Sequence, residues 1–216
     1  MLCYSAAIKC STQRGKSVAK GLKRLMAAAL LMCAVPVAAQ RFSDGYTFLK
    51  AVKDRDGAKV TELVSQPGTT VLSSKERGSG EGALHIVTRE RDLNWLTFLL
   101  AKGVRPDMQD VRGATALTLA AQLGWTEGAE LLLKKGASVD LANGQGETPL
   151  ILAVQQRNGS MVRILLAKGA NPKRSDSAAG LSAIDYAKRD GARSAALLKL
   201  LEAPTAPPKK VAGPKL

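Results

Sequence analysis

A block of about thirty-three residues recurs along this chain of 216. Thr115-Ala116-Leu117, Thr148-Pro149-Leu150 and Ser182-Ala183-Ile184 follow one another at steps of 33 and 34 residues. Gly82-Ala83-Leu84-His85 stands one step upstream of the first. A second marker keeps the same phase: Lys102-Gly103-Val104, Lys135-Gly136-Ala137 and Lys168-Gly169-Ala170. A fixed period of this length constrains the fold before any single residue does. Each block is one supersecondary unit that cannot bury its apolar face alone, so neighbouring copies must stack. Such a stack presents a long surface and usually lacks an enclosed catalytic pocket.

The clearest copies state their own local structure. Asp110-Val111-Arg112-Gly113 reads as a tight turn, with Gly113 supplying the permissive backbone. Thr115 is placed to cap a helix, Leu117 to face the core, and Ala120 and Ala121 to keep the helix thin enough for a close neighbour. Gly124 ends that helix. A second helix buries Leu132 and Leu133, and Gly136 suits a left-handed residue beyond its end. The next copy repeats the plan with Asn143 to Gly146, Thr148, Ala153, Met161, Val162, Leu165 and Gly169. Its Pro149 sits in a first helical turn, where a missing N–H does little harm.

The chain closely resembles the ankyrin repeat family. The residues that carry the resemblance are Thr148-Pro149-Leu150-Ile151-Leu152-Ala153 and Gly82-Ala83-Leu84-His85-Ile86-Val87, variants of the T-P-L-H-x-A signature. The endings Leu132-Leu133-Lys134-Lys135-Gly136-Ala137 and Leu165-Leu166-Ala167-Lys168-Gly169-Ala170 add to it. The resemblance is strong over 77–176 and extends in weaker form over 43–203. It implies an all-α solenoid of about five helix-turn-helix units with β-turn tips, acting as a protein-binding scaffold. The copies are expected at 43–76, 77–109, 110–142, 143–176 and 177–203. The first, with its long Ser/Gly-rich stretch from Ser65 to Gly80, and the last, with polar Lys188, Arg189, Arg193 and Lys199, are expected to act as caps.

Residues 1–39 read as a secretory signal peptide. Lys20, Lys23 and Arg24 are followed by an apolar run from Leu25 to Val37 and by Val37-Ala38-Ala39, which predicts cleavage between Ala39 and Gln40. The run is short of the roughly 20 residues a membrane-spanning helix needs. An uncleaved inner-membrane anchor is the competing reading, against a periplasmic or secreted chain. Met32 before Cys33 argues against lipidation. The long polar stretch before Val18 suggests initiation at Val18 or Leu22. Gly15-Lys16-Ser17 lacks the glycine a phosphate-binding loop requires, since position 10 is Cys10. All three cysteines, Cys3, Cys10 and Cys33, fall in this segment, so the rest of the chain has no thiol for a disulfide, a zinc site or a nucleophile.

The formal charge is +14. The signal segment contributes six cations and no acid, leaving 26 basic against 18 acidic residues downstream. That moderate excess suits a solvated surface or a weak attraction to an anionic one. Residues 204–216 combine Pro204, Pro207, Pro208 and Pro214 with Lys209, Lys210 and Lys215, and read as an extended disordered tail. Aromatics are few and cations dispersed, which argues against a nucleic-acid partner.

Chemistry finds little to build on. His85 is the only histidine, and the resemblance assigns it to bonding neighbouring turns. A transition-metal site would lack ligands. A hydrolase would need His85 with Ser79 or Thr88 and Asp92, without a nucleophile elbow. No catalytic residue, cofactor or metal is expected. Trp95 is expected in the core. Trp125 is expected in the loop between helices, packed locally or exposed as an anchor. Asn158-Gly159-Ser160 matches a glycosylation sequon but is read as a turn.

The family geometry implies a recognition surface of turn tips and exposed first-helix positions. These are Glu81, Arg89 and Glu90, then Arg112 and Gln122, then Gln145, Glu147, Gln155 and Gln156, and finally Arg189. The partner expected there is another protein, bound by a monomer. The alternative is an envelope-associated protein that meets an anionic surface through its basic body and tail.

Overall fold

The left-handed glycines fall on a beat set by the sequence, and the fold follows from them. In the computed structural model, residues 37–203 are described in backbone and 44–203 in side chain. The expected signal segment before Val37 and the tail from Pro204 lie outside the described residues. The chain divides at Ser43, and the unit from Asp44 onward holds the packing described below.

Among the described residues ten α-helices follow one another in pairs: α1 (Val37–Lys53) and α2 (Gly57–Ser65), α3 (Ala83–Arg89) and α4 (Leu93–Ala101), α5 (Ala116–Leu123) and α6 (Thr126–Lys134), α7 (Pro149–Gln155) and α8 (Gly159–Ala167), α9 (Ala183–Arg189) and α10 (Ala195–Glu202). Short 3-10 turns lie at Val71–Ser73 and Gly191–Ser194. Among the described residues there is no strand, only an isolated antiparallel bridge between Ser175 and Ser182. The expected cleavage point, Ala39 and Gln40, falls in the first turn of α1, where only the backbone is described.

Three of the first helices begin where the sequence places a cap. Thr115, Thr148 and Ser182 accept from the backbone N–H three residues on, satisfying a donor that a helix start leaves orphaned. Pro149 occupies the first helical position, as expected. Second helices end alike. Val104, Ala137 and Ala170 donate backbone N–H bonds to Leu99, Leu132 and Leu165 at 3.2, 3.0 and 3.0 Å, around Gly103, Gly136 and Gly169 at φ +89°, +90° and +87°. This Schellman closure needs a left-handed residue, which glycine adopts without a Cβ clash.

Packing then makes two layers. First helices α3, α5, α7 and α9 lie side by side, as do second helices α4, α6, α8 and α10. Leu84, Leu117 and Leu150 are at most 1% exposed, and so are Leu99, Leu132 and Leu165. Full burial of one such leucine stabilises by about 1.5–3 kcal/mol. Ile184, the last member of the first column, is only partly buried, since no further copy covers it among the described residues. At the other end Phe48, Val52 and Val60 close the core.

The turn between the two helices of a pair holds a surprise. Its left-handed position is glycine at Gly124 and Gly191, as the residue type demands, but arginine at Arg55, Arg91 and Arg157, with φ of 60°, 54° and 53°. Trp125, for which exposure was one expectation, is 7% exposed. It stands at the position before α6, and its ring lies over Gly128, whose missing side chain leaves room for it. Trp95 is half-buried, edge-on to Phe98 at 5.2 Å and covered by Arg55 at 5.3 Å.

Candidate interaction surface

The tips between copies are tied to one another by backbone. Val111 donates to the Ser79 carbonyl at 3.1 Å, Gly144 to Arg112 at 2.7 Å and Ser177 to Gln145 at 2.8 Å, so the acceptors repeat every 33 residues. Each tip is folded by one side chain. Asp110 Oδ1 accepts from Arg112 and Ala114 N–H, Asn143 Oδ1 from Gln145 and Glu147, and Asp176 Oδ1 from Ala179 and Leu181. Short polar side chains fold turns this way because they can bond backbone two or more residues on. The result is a row of tips in fixed register, with Arg112 and Gln145 exposed upon it.

A second row runs along the first helices. Arg89, Gln122, Gln155 and Arg189 occupy equivalent positions, seven residues after each cap, and all are exposed. Glu90 and Gln156, one residue further on, are also exposed. Two members of the row are held from below. Glu81, only 6% exposed, takes an ion pair from Arg89. Glu147, partly buried, accepts from Gln155 Nε2 at 3.2 Å and from Asn143 Nδ2 at 2.8 Å. Glu81 and Glu147 therefore hold the exposed side chains of Arg89 and Gln155 in place.

At the last junction the row opens into a shallow cavity of about 230 Å³, lined by Val154, Gln155, Tyr186, Arg189 and Asp190. The Arg189 guanidinium lies 4.6 Å from the Tyr186 ring centre, a favourable cation–π contact. Tyr186 Oη donates to Asp176 Oδ2 at 2.5 Å. That bond raises the tyrosine pKa and lowers the aspartate's, since it favours the protonated phenol and the ionised carboxyl. Sequence reasoning placed Gln155 and Arg189 here but missed Tyr186. Its signal was a lone aromatic, four residues after the cap Ser182, where the other copies carry Ile86, Leu119 and Leu152.

His85 is buried and spent on structure. Its Nδ1 accepts from the Gly82 N–H at 3.2 Å, and Nε2 faces the Ala114 carbonyl at 2.9 Å in the next copy. Asn158 caps α8 through Oδ1 and donates from Nδ2 to the Gly124 carbonyl at 3.4 Å. Among the described residues no group of His, Cys, Asp and Glu could hold a metal, and no helix is long and apolar enough to cross a membrane.

The chain matches a family model described as ankyrin repeats in three copies, over residues 84–176. That span runs from α3 to the tip before α9, and so takes in the three helix pairs from α3 to α8 and the tips between them. Over residues 84–176 the chain is similar to ankyrin repeats.

Proposed function

We propose that this chain is a non-enzymatic scaffold that binds a protein partner through its tips and first-helix row. Five copies make the stack, with 43–76 and 177–203 as its caps. The observation that carries the reading is the equivalent placement of Arg89, Gln122, Gln155 and Arg189 in successive first helices, all exposed. Stacking does not require these side chains, and they stand beside the ordered tips carrying Arg112 and Gln145. The cavity around Tyr186 and Arg189 suits one anchoring side chain of a partner, since buried aromatic and arginine groups dominate interface energies. Glu81 and Glu147 position their neighbours. No catalytic residue, cofactor or metal is assigned.

The chain acts outside the cytoplasm, as a monomer, after removal of residues 1–39. Mass spectrometry of the mature protein from cell fractions tests this, and the expected N-terminus is Gln40. The binding surface is tested by changing Arg112, Gln145 and Gln155 together to alanine. Crosslinking and affinity capture in cells should lose the wild-type partner while the melting temperature stays put. A partner retained by the well-folded triple variant overturns the surface.

A further inference from the structure

The cations of this protein divide into two populations. Several near the interhelix turns are paired: Arg55 with Glu90 and Asp92, Arg89 with Glu81, Arg157 with Asp190, Lys59 with Glu62. Where the second helices end, they are not. Lys102, Lys135 and Lys168 follow the last residues of α4, α6 and α8 at intervals of 33. Lys134 precedes one of them, and Lys173 and Arg174 lie in the loop after α8. None of these side chains forms an ion pair or a hydrogen bond among the described residues. Lys102 alone has a partner, the Phe98 ring at 5.4 Å.

These helix ends form one edge. Ser138 N–H and Oγ donate to Asp107 at 2.8 and 2.5 Å, and Asn171 N–H donates to Asp140 at 3.1 Å, so the loops after α4, α6 and α8 are in contact in sequence order. Stacked helices lie about 8–10 Å apart, which sets the pitch of the lysine row. Asp107 and Asp140, the carboxylates in these loops, are occupied by those bonds. Attraction to the helix macrodipole accounts for one cation per helix end. It does not account for Lys134, Lys173 and Arg174, nor for lysines whose Nζ atoms leave the terminal carbonyls alone.

We propose that this edge docks on an anionic lipid surface. The array is a row of separate charges set at successive helix ends. It is built mainly from lysine, a hydrated point charge suited to diffuse attraction, whereas the arginines are mostly engaged in internal contacts. None of the exposed large hydrophobic side chains, Tyr46, Leu93 and Val111, stands at the C-terminal end of a second helix, so the contact is electrostatic and does not insert. Lysines near an anionic membrane each strengthen binding about fivefold, and the contact weakens as salt shortens the screening length.

The test uses the full chain with vesicles of phosphatidylcholine alone or mixed with phosphatidylglycerol. Wild type should sediment with the mixed vesicles at low salt and be released at high salt. Changing Lys102, Lys135 and Lys168 to glutamine should weaken this roughly a hundredfold. The equal charge change at Lys50, Lys59 and Lys188, near the interhelix turns, should weaken it far less. Amine-reactive footprinting adds an independent readout that membrane insertion of the N-terminal segment would not mimic. Lys135 and Lys168 should be protected by mixed vesicles, and Lys50 and Lys59 should stay reactive. Equal losses in the two triple variants, unprotected edge lysines, or protection by soluble poly-glutamate but not by vesicles would each overturn the proposal.

Discussion

Arg157 donates from Nε and Nη2 to the two carboxylate oxygens of Asp190, each at 2.6 Å, from a backbone held at φ 53°. The pair joins the turn of one helix pair to the end of the first helix in the next. With the Ser194 hydroxyl at 2.6 Å, it holds the Asp190 pKa down at about 2, with Arg157 the larger cause. Asp185, bonded by Ser182, and Asp176, bonded by Tyr186, are also lowered. A carboxyl whose pKa is lower when folded stabilises the fold above its unfolded pKa, and that contribution disappears as pH falls through the folded value. For Asp190 the window runs from its ordinary value of 3.8 to about 2. The last helix pair should therefore loosen within that range before the middle of the stack does. NMR spectra recorded through the range should show α9 and α10 signals collapsing first. Asp190→Asn should flatten this part of the acid response.

The same device recurs without a carboxylate at Arg91, whose Nη2 donates to the Leu123 carbonyl at 2.6 Å. Left-handed backbone costs a non-glycine residue about 1–2 kcal/mol, and one hydrogen bond contributes about 0.5–1.5 kcal/mol net. Arg91→Ala keeps the strain and loses the bond, whereas Arg91→Gly loses the bond and relieves the strain. Urea unfolding should rank wild type and glycine close together, with alanine lower by about 1 kcal/mol.

Two left-handed glycines separate backbone freedom from space. Gly113, at φ 73°, would place a Cβ 2.7 Å from the Gly144 backbone nitrogen. Gly136, at φ 90°, faces open solvent. Gly136→Ala should cost about 1 kcal/mol for the dihedral alone. Gly113→Ala should cost about 2–4 kcal/mol, because the tip must move and the Gly144 to Arg112 bond is strained with it.

Thr88 Oγ1 is buried without a hydrogen-bond partner among the described residues. Valine has the same shape and no hydroxyl to desolvate. An unsatisfied buried hydroxyl costs about 1–3 kcal/mol, so Thr88→Val should raise stability by about 1 kcal/mol in chemical denaturation.

Much of this architecture could be read from spacing alone. The caps Thr115, Thr148 and Ser182, the glycines at 103, 136 and 169, and the alanines of the first helices obey local rules that need no neighbour. The unread features depend on contacts between copies. No local rule puts arginine at a left-handed turn, and only the carbonyl or carboxylate in the next copy explains Arg91 and Arg157. Glu81 reads as surface because it adjoins a turn, yet Arg89, eight residues on, folds back over it. The row of exposed positions was implied by the resemblance to ankyrin repeats. The cavity at Tyr186 required knowing that two first helices lie side by side.

Trp125 and Gly128 give the sharpest case of one residue licensing another. Asp56, Asp92 and Asn158 cap the second helices of their pairs through side-chain oxygens, but Trp125 holds the equivalent place without one. Its ring fills the space where a Cβ on Gly128 would stand. Glycine to alanine inside a helix ordinarily stabilises by about 0.5–1 kcal/mol. Here the sign reverses: Gly128→Ala should destabilise by about 1–3 kcal/mol, because a buried indole cannot step aside. Trp125→Asp should restore a cap worth about 1 kcal/mol while giving up the indole's packing. In the Trp125→Asp background the alanine no longer meets a ring, so Gly128→Ala should become neutral or stabilising. A double-mutant cycle by urea unfolding reads the coupling directly. Equal effects of Gly128→Ala in both backgrounds would show that the ring does not exclude a side chain at residue 128.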